Sequence, residues 1–212
     1  MLIKSKDGEV LLYGGGGQAL VLRSILQSQG LSIRAIFDRN PEMSRPVGET
    51  FVHSQEELDA VINECTGFFV CIAGDGEVRL QVAKQLTERG LTPLSAIHKT
   101  AYVSSSARVG RGAQILTRAV VSEDVAIGHH CILNTNSVVD HECQIGDGVH
   151  VMGGACITGE VVVGRSAIIG TNATILPRVR VGERAFIGAG AVVTRDVPPG
   201  AVMAGVPAKP LR

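Results

Sequence analysis

The chain has 212 residues, and Lys+Arg balance Asp+Glu at 20 each, so no global field points to nucleic acid or a membrane surface. Tryptophan is absent and aromatic residues are 3%, which excludes a core of stacked rings; 26 glycines and 45% apolar residues suit tight corners around an aliphatic interior. No apolar run approaches the roughly eighteen residues of a spanning helix, and Met1 to Gly8 has no long apolar stretch, so a soluble cytoplasmic protein is expected.

The first 95 residues alternate strands with helices. Glu9 to Tyr13 reads as a strand, Gly14 to Gly17 as a loop, and Ala19 to Gln29 as a helix stopped by Gly30. A second strand runs from Leu31 to Phe37 and ends at Asp38. Ser54 with Glu57 is a capping-box pair opening a helix that reaches about Cys65. Phe68 to Ala73 is a third strand, Gly74-Asp75-Gly76 turns the chain, and Glu77 to Arg89 is a helix closed by Gly90. This order predicts a small Rossmann-like parallel sheet flanked by helices, a nucleotide-sugar-binding domain over residues 1–95.

Ligands of such sheets bind at the carboxyl ends of the strands, where Gly14 to Gly17, Gln18, Asp38 with Arg39, and Gly74 converge. Gly14, Gly16 and Ala19 satisfy G-x-G-x-x-[GA], and Asp38 follows at the spacing of a ribose-binding carboxylate. Such glycines let the backbone approach a pyrophosphate, and the helix start supplies amide donors. A nicotinamide dehydrogenase is the rival, but so short a domain provides one mononucleotide-sized half, which suits a nucleotide carried on a sugar.

From Ile97 to Val193 every sixth residue is aliphatic, and four residues after each sits a smaller one, such as Ala113, Ala119, Cys131, Ser137, Cys143 and Ala155. This two-site hexapeptide repeat predicts a left-handed parallel β-helix over residues 96–196, with 197–212 as a short C-terminal cap. Glycines at 110, 128, 146, 164 and 182 recur every 18 residues, one three-sided turn, so residues 18 apart stack at about 4.8 Å. The five cysteines show no CxxC; Cys131 and Cys143 occupy inward positions, and all read as structural thiols in a reducing compartment with no metal.

Stacking singles out one histidine. His141 lies outward between Asp140 and Glu142, with Glu123 one turn below and Gly159 one turn above. An adjacent carboxylate holds one ring nitrogen protonated and leaves the other as a base. The glycine above is expected to leave open space beside the imidazole and an approachable amide, suited to a thioester carbonyl gaining negative charge. His129 and His130 read as surface residues, and His53 and His98 fall near the domain join without a role. In the tail, Lys209 and Arg212 are cations for phosphates, on a segment that also suits a cap over the solenoid end.

The hexapeptide repeat ending in Gly205-Val206-Pro207-Ala208-Lys209 resembles the left-handed β-helix acyltransferases that use acetyl-CoA. With the Gly14-rich domain and Asn134-Thr135-Asn136-Ser137 running into His141-Glu142-Cys143, it is similar to the nucleotide-sugar N-acetyltransferases of bacillosamine and perosamine pathways and the related sialic acid O-acetyltransferases. The resemblance implies that His141 is the general base and that Glu142 orients it. It also implies that Asn134 and His150 line the acceptor and acetyl site, and that the Gly159 amide meets the thioester. Gly170, Gly188, Pro207, Ala208 and Lys209 would border the CoA channel, in a homotrimer with sites between coils. Family members often carry a histidine where this chain has Gln18. The expected function is acetyl-CoA-dependent N-acetylation of a nucleotide-linked 4-amino-4,6-dideoxy sugar; sugar O-acetylation and a non-catalytic solenoid module stay open.

Overall fold

The computed structural model describes residues 9–43 and 49–211; Met1 to Gly8, read above for a leader, and Arg212, read as a tail cation, lie outside them. The N-terminal unit comprises β1 (Glu9–Tyr13), α1 (Gly17–Ser28), β2 (Ser32–Phe37), β3 (Thr50–Val52), α2 (Gln55–Ile62), β4 (Cys65–Val70), α3 (Gly76–Glu88) and β5 (Thr92–Pro93). Its sheet is wholly parallel in the order β3-β2-β1-β4-β5. Val10, Leu11 and Leu12 are fully buried, the continuous apolar run of a central strand covered on both faces. The capping box forms, with the Glu57 amide donating to Ser54 Oγ and the Ser54 amide to the Glu57 carboxylate, each at 3.1 Å. Helix α2 stops at Ile62, short of the expected Cys65, because Cys65 already pairs with Glu9 as the first residue of β4. That strand accordingly ends at Val70 rather than Ala73, and two short strands, β3 and β5, were not anticipated. No helix among the described residues is long and apolar enough to cross a membrane.

From Ala96 the chain winds as a left-handed parallel β-helix of two-residue strands on three faces. The first face carries the strands starting at Ala96, Gln114, Ile132, His150, Ile168 and Phe186. The second carries those at Tyr102, Val120, Val138, Cys156, Thr174 and Val192, and the third those at Arg108, Ala126, Gln144, Val162 and Arg180. Pairing among these strands is 18 residues apart, as in Val120 with Val138 and Val138 with Cys156. The second residue of each strand and the smaller residue at each corner point inward, so Val121, Val139, Ile157, Ala155 and Ala173 lose all solvent contact. At the Gly128 and Gly146 corners a Cβ would approach the next turn's backbone to 2.6–2.7 Å, which is why that column is glycine. Val202–Ala204 extends the first face in parallel, and Lys209–Pro210 returns antiparallel to it.

The two units share one apolar seam in which Leu22, Ile25 and Leu26 of α1 pack with Leu116 and Ile132 of the coil's first face. Polar contacts then fix the seam. Gln18 Nε2 donates to Gln114 Oε1 at 2.6 Å, and Gln114 Nε2 to the Val70 carbonyl at 2.7 Å. Arg79 of α3 is fully buried and donates to the carbonyls of His130 at 2.7 Å, Gly148 at 2.6 Å and Ile72 at 2.6 Å. A buried guanidinium without a carboxylate keeps its charge only when its donors are satisfied, here by carbonyl dipoles. Burial still pulls it down to about 10. His130 is a correction to the sequence reading: 8% exposed, it stacks on Phe68 with centroids 6.3 Å apart inside the seam.

Candidate active site

The corner between the second and third faces repeats at Ser122–Asp124, Asp140–Glu142, Thr158–Glu160 and Leu176–Arg178. Each repeat turns on a residue with positive φ, namely Asp124, Glu142, Glu160 and Arg178 at 55° to 65°. At the second repeat the Asp140 carboxylate accepts the His141 main-chain amide at 2.8 Å, so it shapes the corner rather than touching the ring. Glu142 Oε2 lies 3.1 Å from His141 Nδ1. With a proton on Nδ1 donated to that carboxylate, Nε2 carries the free lone pair. Glu123, a turn below, accepts from the Tyr102 hydroxyl at 3.2 Å.

Gly159 refines the expectation. The space it leaves is filled by the imidazole itself, since a Cβ there would lie 2.5 Å from both Cε1 and Nε2 of His141. The Gly159 carbonyl accepts from Arg178 and the His141 carbonyl from Glu160, while the Gly159 amide has no acceptor among the described residues. The imidazole thus packs on a residue whose main-chain N–H is unused among the described residues. One turn up, Glu160 is bound by Arg178 at 2.9–3.0 Å, and that bond and charge hold the Glu160 carboxyl below the usual carboxylate range. Because Gly159 has ordinary φ and its nearest obstacle is a half-exposed side chain, Gly159→Ala should displace the ring, not the fold. We expect turnover to fall about 10²-fold, the effect of a displacement near 1 Å. The unfolding free energy measured in urea should stay within about 0.5 kcal/mol of that of the unaltered protein.

The second candidate region lies at the strand ends of the N-terminal unit. Gly14 adopts φ +104° and approaches the Cys71 carbonyl so closely that a Cβ would sit at 3.1 Å. Gly15 lies under Phe51 and Met43, whereas Gly16, Gly17 and Gly74 face open space. Gly16 caps α1 without any side-chain hydrogen bond, leaving first-turn amides available to an anion. Asp38 is engaged on both oxygens, accepting the Gly15 amide at 2.7 Å and the Asn40 amide at 2.9 Å, so its first duty is to hold the glycine loop. Arg39 is exposed beside it. Gln18 does not face this loop's open side: its side chain is buried on Gln114. His53, given no role above, lies here, its Nδ1 2.8 Å from the Asp38 carbonyl and its ring stacked on Phe51. The signal that would have found it is its position directly after β3, beside β2.

Within one chain the proposed residues fall into separate places. Asn134 lies at the corner between the first and second faces, the opposite edge of the second face from His141, with its Oδ1 on the Thr135 amide at 2.7 Å. Gly170, Gly188 and the Pro207, Ala208 and Lys209 strip share that edge; the Ala208 amide donates to the Val192 carbonyl. Gly170 also has a structural reason, since a Cβ there would meet Ala189 N at 2.7 Å. His150 is 3% exposed in the seam, its Nδ1 2.8 Å from the Ala73 carbonyl and its Nε2 without a partner among the described residues. All the interdomain hydrogen bonds and ion pairs found among the described residues reach the first face or its corner with the third; none reaches the His141 corner.

Residues 160–195 match the family model of the bacterial transferase hexapeptide (six repeats). The structure of PerB from Caulobacter crescentus in complex with CoA and GDP-perosamine is 34% identical, covers 98% of this chain and 99% of its own, and superposes with a TM-score of 0.91. The H141N mutant of perosamine N-acetyltransferase from the same organism, again with CoA and GDP-perosamine, is 33% identical, covers 98% of both chains and has a TM-score of 0.91. The acetyltransferase domain of PglB from Neisseria gonorrhoeae is 28% identical over 97% of this chain and 100% of its own, with a TM-score of 0.89. A viral relative, uncharacterized protein L142 of Acanthamoeba polyphaga mimivirus, is 28% identical over 60% of this chain, and the match spans 25% of that relative's length.

Proposed function

Because the chain belongs to the hexapeptide-repeat nucleotide-sugar N-acetyltransferases, we propose that it transfers the acetyl group of acetyl-CoA to the 4-amino group of a nucleotide-linked 4-amino-4,6-dideoxy sugar. The observation that carries this is the packing of the His141 imidazole on Gly159, whose amide has no acceptor among the described residues. Nε2 takes a proton from the attacking amine as its nitrogen bonds to the thioester carbon. The Gly159 amide faces the oxyanion that forms, and collapse expels the CoA thiolate, which takes up a proton. Glu142 holds the tautomer and carries the charge of the imidazolium through Nδ1. The chain's own groups suffice for these proton movements.

Gly16, Gly17 and the first turn of α1 would take the diphosphate, with Arg39 and His53 beside the nucleoside. A nucleotide held there sits over the first face, across the coil from His141, so the acceptor must be served by a neighbouring chain. The second face supports that assembly: its outward residues Tyr102, Val120, Val138, Cys156, Thr174 and Val192 form an uncharged, mostly apolar ladder, with Tyr102 54% exposed. Packing this face in a homotrimer brings the Asn134, Gly170 and Lys209 edge of one coil to the His141 corner of the next. Five cysteines without a disulfide, three of them buried, suit a reducing compartment such as the cytoplasm.

The test is CoA release measured over a panel of nucleotide-linked amino sugars, beginning with GDP-perosamine, the ligand bound by the C. crescentus protein. Acceptor-dependent release with one amino sugar is expected. Release only with hydroxyl acceptors would replace the proposal by O-acetylation.

A further inference from the structure

Charge changes sign along the corner that carries His141. Its lower repeats hold Glu123, Asp124, Asp140 and Glu142, and the next holds Glu160. Above these come Arg178, already paired with Glu160, and then Arg195. The last repeat is shortened. Val181 bridges to Val197, 16 residues on, so Thr194-Arg195-Asp196 close a corner that takes two more residues in the turn below. Asp196 accepts the Arg180 amide at 2.8 Å. Arg195 is exposed and makes no ion pair or side-chain hydrogen bond among the described residues.

We propose that Arg195, with Arg178 one turn below, receives the diphosphate of CoA and so fixes the direction in which the thioester lies along the coil. The inference rests on the acetyltransferase reading and deepens it. Two turns separate Gly159 from Arg195, about 10 Å at the inter-strand spacing, and the length of the arginine side chain adds to that span. A pantetheine arm, comparable to about four extended residues, has a reach on the order of 14 Å. With the thioester carbonyl at Gly159, the arm passes Leu176, 37% exposed, and Pro177, which form an apolar stretch between base and cation. The opposite direction would lay a dianion over Glu123 and Asp124, which Coulomb repulsion forbids.

The experiment compares acetyl-CoA with acetyl-pantetheine, which carries the same thioester and arm without the diphosphate. Arg195→Gln should lower the ratio of kcat/KM for acetyl-CoA to that for acetyl-pantetheine about tenfold, through the KM for acetyl-CoA. The loss should shrink as salt is raised. An unchanged ratio overturns the proposal, and so does an equal loss for both thioesters, the mark of a structural effect. A ratio that falls in Lys209→Gln but not in Arg195→Gln places the diphosphate on the other edge and also overturns it. If the unaltered protein uses neither thioester with any acceptor, the acetyltransferase reading itself has failed, an outcome distinct from these.

Discussion

Replacing His141 by asparagine should lower kcat by about 10²- to 10⁴-fold, the contribution of a positioned general base, while CoA and the nucleotide sugar still bind. Asparagine keeps a polar side chain over Gly159 but presents an amide, which takes no proton near neutral pH. The loss should appear equally in kcat and kcat/KM, because the proton is transferred only as the bond to carbon forms. Ligand-induced rises in melting temperature, read separately for CoA and for the sugar nucleotide, should match those of the unaltered protein. Glu142→Gln should cost less, since it leaves the lone pair of His141 in place and removes only the charge facing Nδ1. Near-normal turnover in His141→Asn would remove His141 from the mechanism.

Stability should fall steeply in mild acid. Burial, aided by the charge of Arg79, pulls both His130 and His150 down to about 4; the His129 charge adds to the shift at His130. Asp147 opposes the shift at His130, and the Ala73 carbonyl opposes it at His150. Both rings are therefore neutral in the folded protein at neutral pH and bind protons more readily once unfolded. The folded state is favoured fully above the ordinary 6.5, and that advantage is lost as pH drops from 6.5 towards 4. Each ring adds a slope of about 1.4 kcal/mol per pH unit within the window. Urea unfolding at fixed protein concentration, at pH 7 and pH 5, measures it. His150→Asn keeps a donor for the Ala73 carbonyl but does not titrate, so the difference between the two pH values should shrink by about 2 kcal/mol. Identical pH dependence in the two proteins would show that His150 is not a neutral group confined in the seam.

The coil was legible because one physical rule repeats: a residue and its neighbour 18 positions on must stack, and only aliphatic or small side chains fit inside. Val120, Val138 and Cys156 could be set in register by counting alone, and the same counting put Gly159 against His141. Counting does not say whether a glycine leaves a vacancy or makes a seat for a ring; that depends on the rotamer of His141. The N-terminal sheet was legible in type from its apolar runs and glycine punctuation, less so in extent, since Thr50–Val52 is too short to show a period. The seam was hidden for a different reason. Arg79 reads as one more polar residue of an amphipathic helix, and nothing local marks a cation whose partners are carbonyls 51 and 69 residues away. Gln18 was placed with the phosphates by its position after the glycines, yet Gln114, 96 residues on, claims its side chain.

The bonds of Arg79 to the coil have a bearing on how such two-part chains arise. Its coil partners are the main-chain carbonyls of His130 and Gly148. Every hexapeptide coil offers carbonyls at equivalent corners whatever its side chains. A front unit carrying this arginine could thus be grafted onto an unrelated coil, or moved one full turn along its own, and still find acceptors waiting. Substrate recognition and acyl transfer could in this way be recombined by gene fusion before any surface had been tailored to join them.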